Sequence, residues 1–121
     1  MAKLSKEAKK IIAEFGPALI ATASKEGKPN VSPKGSFRVL DDEHVIFANI
    51  ASPRTMANLK ENPQLTAIML DRSSRKGCRV WGRAEILDSG EMFDKLSAEF
   101  AKQNMKIKNV VKVAVDEVAL F

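Results

Sequence analysis

The chain has 121 residues, 45% of them hydrophobic and 29% charged, which predicts one globular domain able to bury its core without a disulfide or structural metal. No apolar run suits a signal peptide or membrane span, no tract is repetitive, and the lone Cys78 cannot pair within the chain, so a soluble domain in a reducing cytoplasm is expected. The net charge of +5 raises the question of nucleic acid, but residues 1–40 carry 8 Lys/Arg against 3 acids while residues 41–121 carry 12 against 12, so the surplus is local.

Leu4, Ala8, Ile11, Ile12 and Phe15 recur at helical spacing, predicting an amphipathic helix over Ser5–Phe15. Ser5 is its expected N-cap and Gly16-Pro17 its stop. The helix lacks the bulky apolar face that membrane insertion requires, so it should cover one end of a sheet. Ala18–Ser24 reads as a short buried strand, followed by a turn at Lys25–Lys28 in which Gly27 supplies an inexpensive positive φ.

The next strand, Pro29–Leu40, is interrupted by Pro33 and Gly35, which marks a bulge, an edge or a close backbone approach. A ligand along that edge and a plain edge strand explain it equally well. Lys25, Lys28, Lys34 and Arg38 flank this region, and one dianionic phosphate would be company enough for them. After a polar turn at Asp41-Asp42-Glu43, His44–Ile50 returns as a buried strand. His44, the only histidine, stands beside that acidic turn and is read as a surface residue, with no cluster around it to hold a metal.

That strand runs into Ala51–Pro63, where Ser52 is a good N-cap, Pro53 suits the first helical position and Asn62-Pro63 forces an exit. The result is a helix of about two and a half turns. Arg54, Thr55 and Asn58 place a guanidinium, a hydroxyl and an amide on its first turns beside unpaired backbone N–H groups, the composition of a phosphate site. Gln64–Asp71 and Lys76–Leu87 are predicted strands around a loop at Arg72–Arg75. Gly77 and Gly82 break the second strand, which calls for a bulge, a barrel corner or a neighbouring ligand. A third helix over Ser89–Asn104 and a last strand over Asn109–Phe121 complete the chain. About six strands with short connections predict a mainly β, antiparallel barrel with peripheral helices, since closure removes apolar edges.

Four segments in order, P-N-V-S-P-K-G-S-F, V-I-F-A-N-I, S-P-R-T-M-A-N-L-K-E-N-P and G-C-R-V-W-G-R-A, resemble the pyridoxamine 5′-phosphate oxidase-related FMN-binding split-barrel family, in particular its small single-domain members from anaerobic bacteria. The resemblance implies one FMN-binding split-barrel domain over residues 1–121 and a homodimer with FMN at the subunit interface. It implies phosphate contacts from Arg54, Thr55 and Asn58 near Ser52. Val31, Ser32, Pro33 and Lys34 would lie along the isoalloxazine, Ala48, Asn49 and Ile50 beside the ribityl chain and ring, and Gly77-Cys78 near the flavin edge. Pro33 and Pro53 each remove an N–H that such a ligand would otherwise meet. No side chain need be catalytic, Lys34 is the candidate for a positive charge near the ring, and the electrons would pass to a redox protein or a small acceptor. True pyridoxamine phosphate oxidase activity is not expected, because no tail matches that enzyme's substrate-binding segment.

The alternatives are a split barrel binding a deazaflavin or haem, or no cofactor, and a basic nucleic-acid-binding barrel. The last lacks stacking aromatics: there is no Tyr, Trp81 is single and reads as core or interface, and the Phe residues sit mostly on apolar faces. The apolar end Val118-Ala119-Leu120-Phe121 is expected to pack across a two-fold dimer near the other subunit's flavin.

Overall fold

The computed structural model describes residues 2–121. Its elements in chain order are α1 (Lys6–Glu14), β1 (Ala18–Ala23), β2 (Pro29–Lys34), β3 (Arg38–Asp41), β4 (His44–Asn49), α2 (Pro53–Glu61), β5 (Gln64–Leu70), β6 (Gly77–Leu87), α3 (Glu91–Ala101) and β7 (Asn109–Leu120). The seven strands form one antiparallel sheet in the order β2-β1-β5-β6-β7-β4-β3.

The expected single strand over Pro29–Leu40 is therefore two. The chain leaves β2 at Lys34, turns through Gly35–Phe37 and enters β3 at Arg38. β2 and β3 are the opposite edges of the sheet, yet only three residues join them, so the sheet must curl until its edges meet without pairing. This gap is the split of the barrel.

The curl is taken up by the two longest strands. Between Trp81 and Gly82 the β6–β7 register shifts by one residue, a bulge that bends the pair. Gly82 is required there: a Cβ would stand 2.5 Å from the Ala114 carbonyl oxygen and 2.5 Å from Val113 Cγ1. The glycine therefore serves the barrel corner.

Inside the barrel, Ile20, Val45, Phe47, Ala67, Met69, Val80, Val111, Val113 and Val115 are buried, and Leu4, Ala8, Ile11 and Ile12 of the α1 region close one end. Ser5 caps α1 as expected, its hydroxyl accepting from the Ala8 N–H at 3.1 Å. A second cluster lies on the other face of β4, where Ile46 and Ala48 meet Leu96 and Phe100 of α3 with Ile107 and Val110. Both faces of β4 are thus covered, which is why its sequence reads as a continuous apolar run. Among the described residues no helix is long and apolar enough to cross a membrane.

Candidate functional site

β2 carries alternating chemistry. Asn30, Ser32 and Lys34 fall on the side of α2, while Val31 is exposed on the other and Pro33, also exposed, stands at the strand end where it reaches the cleft rim. Period two thus divides the four residues expected along one ligand between two faces, and the structure does not bring Val31, 62% exposed, to the helix.

On the helix side, side chains join β2 to α2. The Ser32 and Thr55 hydroxyls are 2.7 Å apart, and the Asn30 amide reaches Thr55 Oγ1 at 3.4 Å. The Asn58 amide donates to Thr22 Oγ1 of β1 at 3.0 Å. Thr55 has no exposed surface, so it and Asn58 brace the helix on the sheet, while the neighbours Arg54, Ser52, Asn30 and Ser32 line the open space in front of it. Arg54 is exposed and makes no ion pair or side-chain hydrogen bond among the described residues.

Ser52 departs from its expected role. It is the N-cap residue of α2, but its side chain makes no capping hydrogen bond. The hydroxyl instead donates to Asn49 Oδ1 at 2.7 Å and accepts from Lys34 Nζ at 2.5 Å. Asn49 is fixed in turn by Asn109, to which its amide donates at 2.9 Å. The diversion has two consequences. The first turn of α2 keeps its N–H groups free of a side-chain cap, and Pro53 at its start has no N–H to lose. Lys34, only 9% exposed, holds an ammonium with three donors against one neutral hydroxyl. Burial pushes its pKa below the ordinary lysine range.

Two clefts meet along Pro33 and Lys34. One, about 420 Å³, lies before α2 and is lined by Asn30, Ser32, Ser52, Pro53 and Arg54. The other, about 560 Å³, lies in the split between β2 and β3 and is walled by Ser36, Arg38, Ala48, Ile50, Glu99, Phe100, Gln103 and Met105. A basic, hydroxyl-rich cleft thus adjoins one of mixed character, in which Ala48, Ile50, Phe100 and Met105 stand beside Ser36, Gln103 and the Arg38–Glu99 pair. Ser36 is held in the second wall by the bond its hydroxyl accepts from the Ala48 N–H at 2.9 Å.

Of the residues singled out in the sequence, Ser32, Pro33, Lys34, Ser52 and Arg54 meet at the first cleft, and Ala48 and Ile50 stand at the second. Asn49 supports Ser52 from beneath. Gly77 and Cys78 line neither cleft: the Cys78 thiol is buried in the barrel core, where burial raises its pKa, and the open side of Gly77 is taken by the Phe121 ring. Sequence reading missed Asn30, Ser36, Phe100, Gln103 and Met105. Asn30 was signalled by its period-two relation to Ser32 and Lys34, whereas Phe100, Gln103 and Met105 reach the site only through the docking of α3. Among the described residues no group of three His, Cys, Asp or Glu side chains is placed to hold a metal ion.

Comparison with known proteins places this geometry in context. A family model described as pyridoxamine 5′-phosphate oxidase matches residues 4–121. An uncharacterized protein of Methanocaldococcus jannaschii is 33% identical over 104 residues, covering 82% of this chain and 68% of its own. Among solved structures, HupZ of Group A Streptococcus superposes with a TM-score of 0.89 at 26% identity over 97% of this chain and 93% of that one. An FMN-binding protein of Syntrophomonas wolfei gives 0.86 at 22% identity over 97% and 85%. The fold is shared more widely, by an F420 reductase (TM-score 0.71, 18% identity, 95% and 98% covered) and by the haem storage protein HutZ of Vibrio cholerae (0.68, 22%, 98% and 94%).

Proposed function

The chain belongs to the pyridoxamine 5′-phosphate oxidase family, and from that membership we propose that it is an FMN-binding flavoprotein acting as an oxidoreductase or electron carrier. One observation carries the choice of ligand: the Lys34 ammonium, bonded to Ser52, stands at the junction of a hydroxyl-rich cleft beside Arg54 and a cleft of mixed polar and apolar walls. FMN combines a dianionic phosphate, which suits the first cleft, with a flat ring that is apolar at one edge and hydrogen-bonding at the other, which suits the mixed walls of the second. A haem differs in carrying two carboxylates on its macrocycle and no phosphate, although the fold itself is shared by a haem storage protein and by an F420 reductase.

In this reading Arg54, Ser52, Ser32 and Asn30 hold the phosphate with the uncapped N–H groups of α2, and Thr55 and Asn58 keep the helix in register with the sheet. The ring lies in the split, against Ala48, Ile50 and Met105. Bound flavin supplies the electron transfer; the protein supplies position and field. Lys34 brings a positive charge to the junction, favouring the anionic form of a reduced ligand.

The same reading makes the protein a homodimer. Leu19, Val31, Leu70 and Phe121 are exposed apolar side chains on the outward face of β1, β2, β5 and the chain end, where Arg79 stacks over Trp81 at 5.8 Å and over Phe121 at 5.4 Å. A contiguous apolar sheet face of this kind suits a partner subunit. Gly77 and Cys78, remote from the clefts within one chain, would approach a flavin only across that interface.

Fluorescence titration of the flavin-free protein with FMN and with riboflavin tests the assignment. FMN should bind more tightly, and Arg54→Ala should weaken FMN by about 10- to 100-fold while leaving riboflavin unchanged, as expected for loss of a charge-assisted pair. Equal effects on both ligands, or none, would remove the phosphate from this site.

A further inference from the structure

A cleft of about 750 Å³ lies between β3 and α3, outside the Lys34 clefts, and its volume is that of a small-molecule site. Its floor is apolar, made by Val39, Leu40 and Ile46 of the sheet and Met92 and Leu96 of the helix. Its rim is charged. Arg38, Lys95 and Lys102 face Glu91 and Glu99, and neither Lys95 nor Lys102 makes an ion pair among the described residues.

Arg38 and Glu99 belong to this cleft and also to the one in the split of the barrel. They form the partition between the two. The guanidinium donates to Glu99 through both Nη1, at 3.1 Å, and Nη2, at 2.8 Å. Both side chains are close to half exposed, so solvent screens the pair and its opening is inexpensive. Arg38 would not drift when released, because its Nε also donates to the Ser36 carbonyl at 3.3 Å.

We propose that the β3–α3 cleft is a second ligand site for a small amphipathic anion, with an apolar body on the Val39–Met92 floor and a carboxylate head that takes Arg38 from Glu99. The surplus of cations at the rim selects the charge of the head, and the bidentate geometry of Arg38 suits a carboxylate. Exchange of Glu99 for the ligand removes the partition and places the head beside the split. The proposal stands on this cleft alone and does not require that the other hold FMN.

Methionine-methyl NMR of the full chain reads the site directly, since Met92 lies in this cleft, Met105 in the split, and Met56 and Met69 in the barrel core. The probes are decanoate and, as its neutral counterpart, 1-decanol. Decanoate should shift Met92 saturably and leave Met56 and Met69 in place, with decanol weaker. Arg38→Gln should weaken decanoate by about tenfold, and Glu99→Gln, which frees Arg38, should tighten it severalfold. Unchanged Met56 and Met69 signals certify the fold of each variant, and Glu99→Gln alone suffices if Arg38→Gln does not fold. The proposal is overturned by an unresponsive Met92, by decanol binding as well as decanoate, by a response confined to Met105, by weaker binding to Glu99→Gln, or by a Met92 signal that depends only on protein concentration, which would mean a second copy covers the cleft.

Discussion

Lys34 and Ser52 are joined at 2.5 Å across the gap between an edge strand and the start of a helix, and that bond takes the serine from its capping duty. The loss of a cap is a cost to the helix, on the order of 1 kcal/mol. An anion in front of α2 would offset it by meeting both the free N–H groups and the buried ammonium.

The cost of burying Lys34 should appear as a pH dependence. Its folded pKa lies below its unfolded value, so the unfolded state binds more protons between the two and stability rises with pH through that window. Below the folded pKa the penalty is fully present; above the ordinary lysine value it is gone. Lys34→Met removes the group from both states. Denaturant unfolding of the flavin-free proteins should therefore show the variant gaining on the parent near neutrality and the advantage narrowing as pH rises into the alkaline range. A difference independent of pH would contradict the burial argument.

Gly82→Ala should destabilise without touching the site. The added methyl meets the Ala114 carbonyl and Val113 at 2.5 Å, both in the closing strand of the barrel. A cost of about 1–3 kcal/mol is expected from overpacking at the bulge, read as a lower denaturation midpoint. A neutral outcome would mean that the β6–β7 corner is looser than its register implies.

The chain end offers a test of assembly. Leu120 and Phe121 are 42% and 46% exposed, yet Phe121 exchanges two backbone hydrogen bonds with Gly77, at 3.0 and 3.1 Å. The segment is thus fixed in place with Phe121 on the outward face and both side chains partly open to solvent. A chain ending at Glu117 should sediment as a monomer or as a weakened dimer and hold FMN less well. Full retention of both properties would show that the tail takes no part in the interface.

Much of the fold was legible because periodicity reports which face of an element is buried. The helical spacing of Leu4, Ala8 and Ile11, the Ser5 cap and the apolar run of β4 were all expressed locally. The separation of β2 from β3 was not, since Gly35-Ser36-Phe37 reads as one more irregularity in a strand and becomes a corner only when the sheet closes. The site was legible to a similar depth. Arg54 and Ser52 announce a helix start, but whether a serine caps its helix or serves a lysine depends on Lys34, 18 residues earlier in the chain. Met105 and Gln103 enter through the docking of α3, a relation that no local pattern records.

The central claim, that this family member carries FMN, is most directly tested by the visible absorption spectrum of the freshly purified protein. Two flavin bands that bleach on reduction, with a chromophore released by denaturation that matches FMN, are predicted. A Soret band, a deazaflavin spectrum, or a colourless protein that gains no flavin bands on incubation with FMN would contradict it.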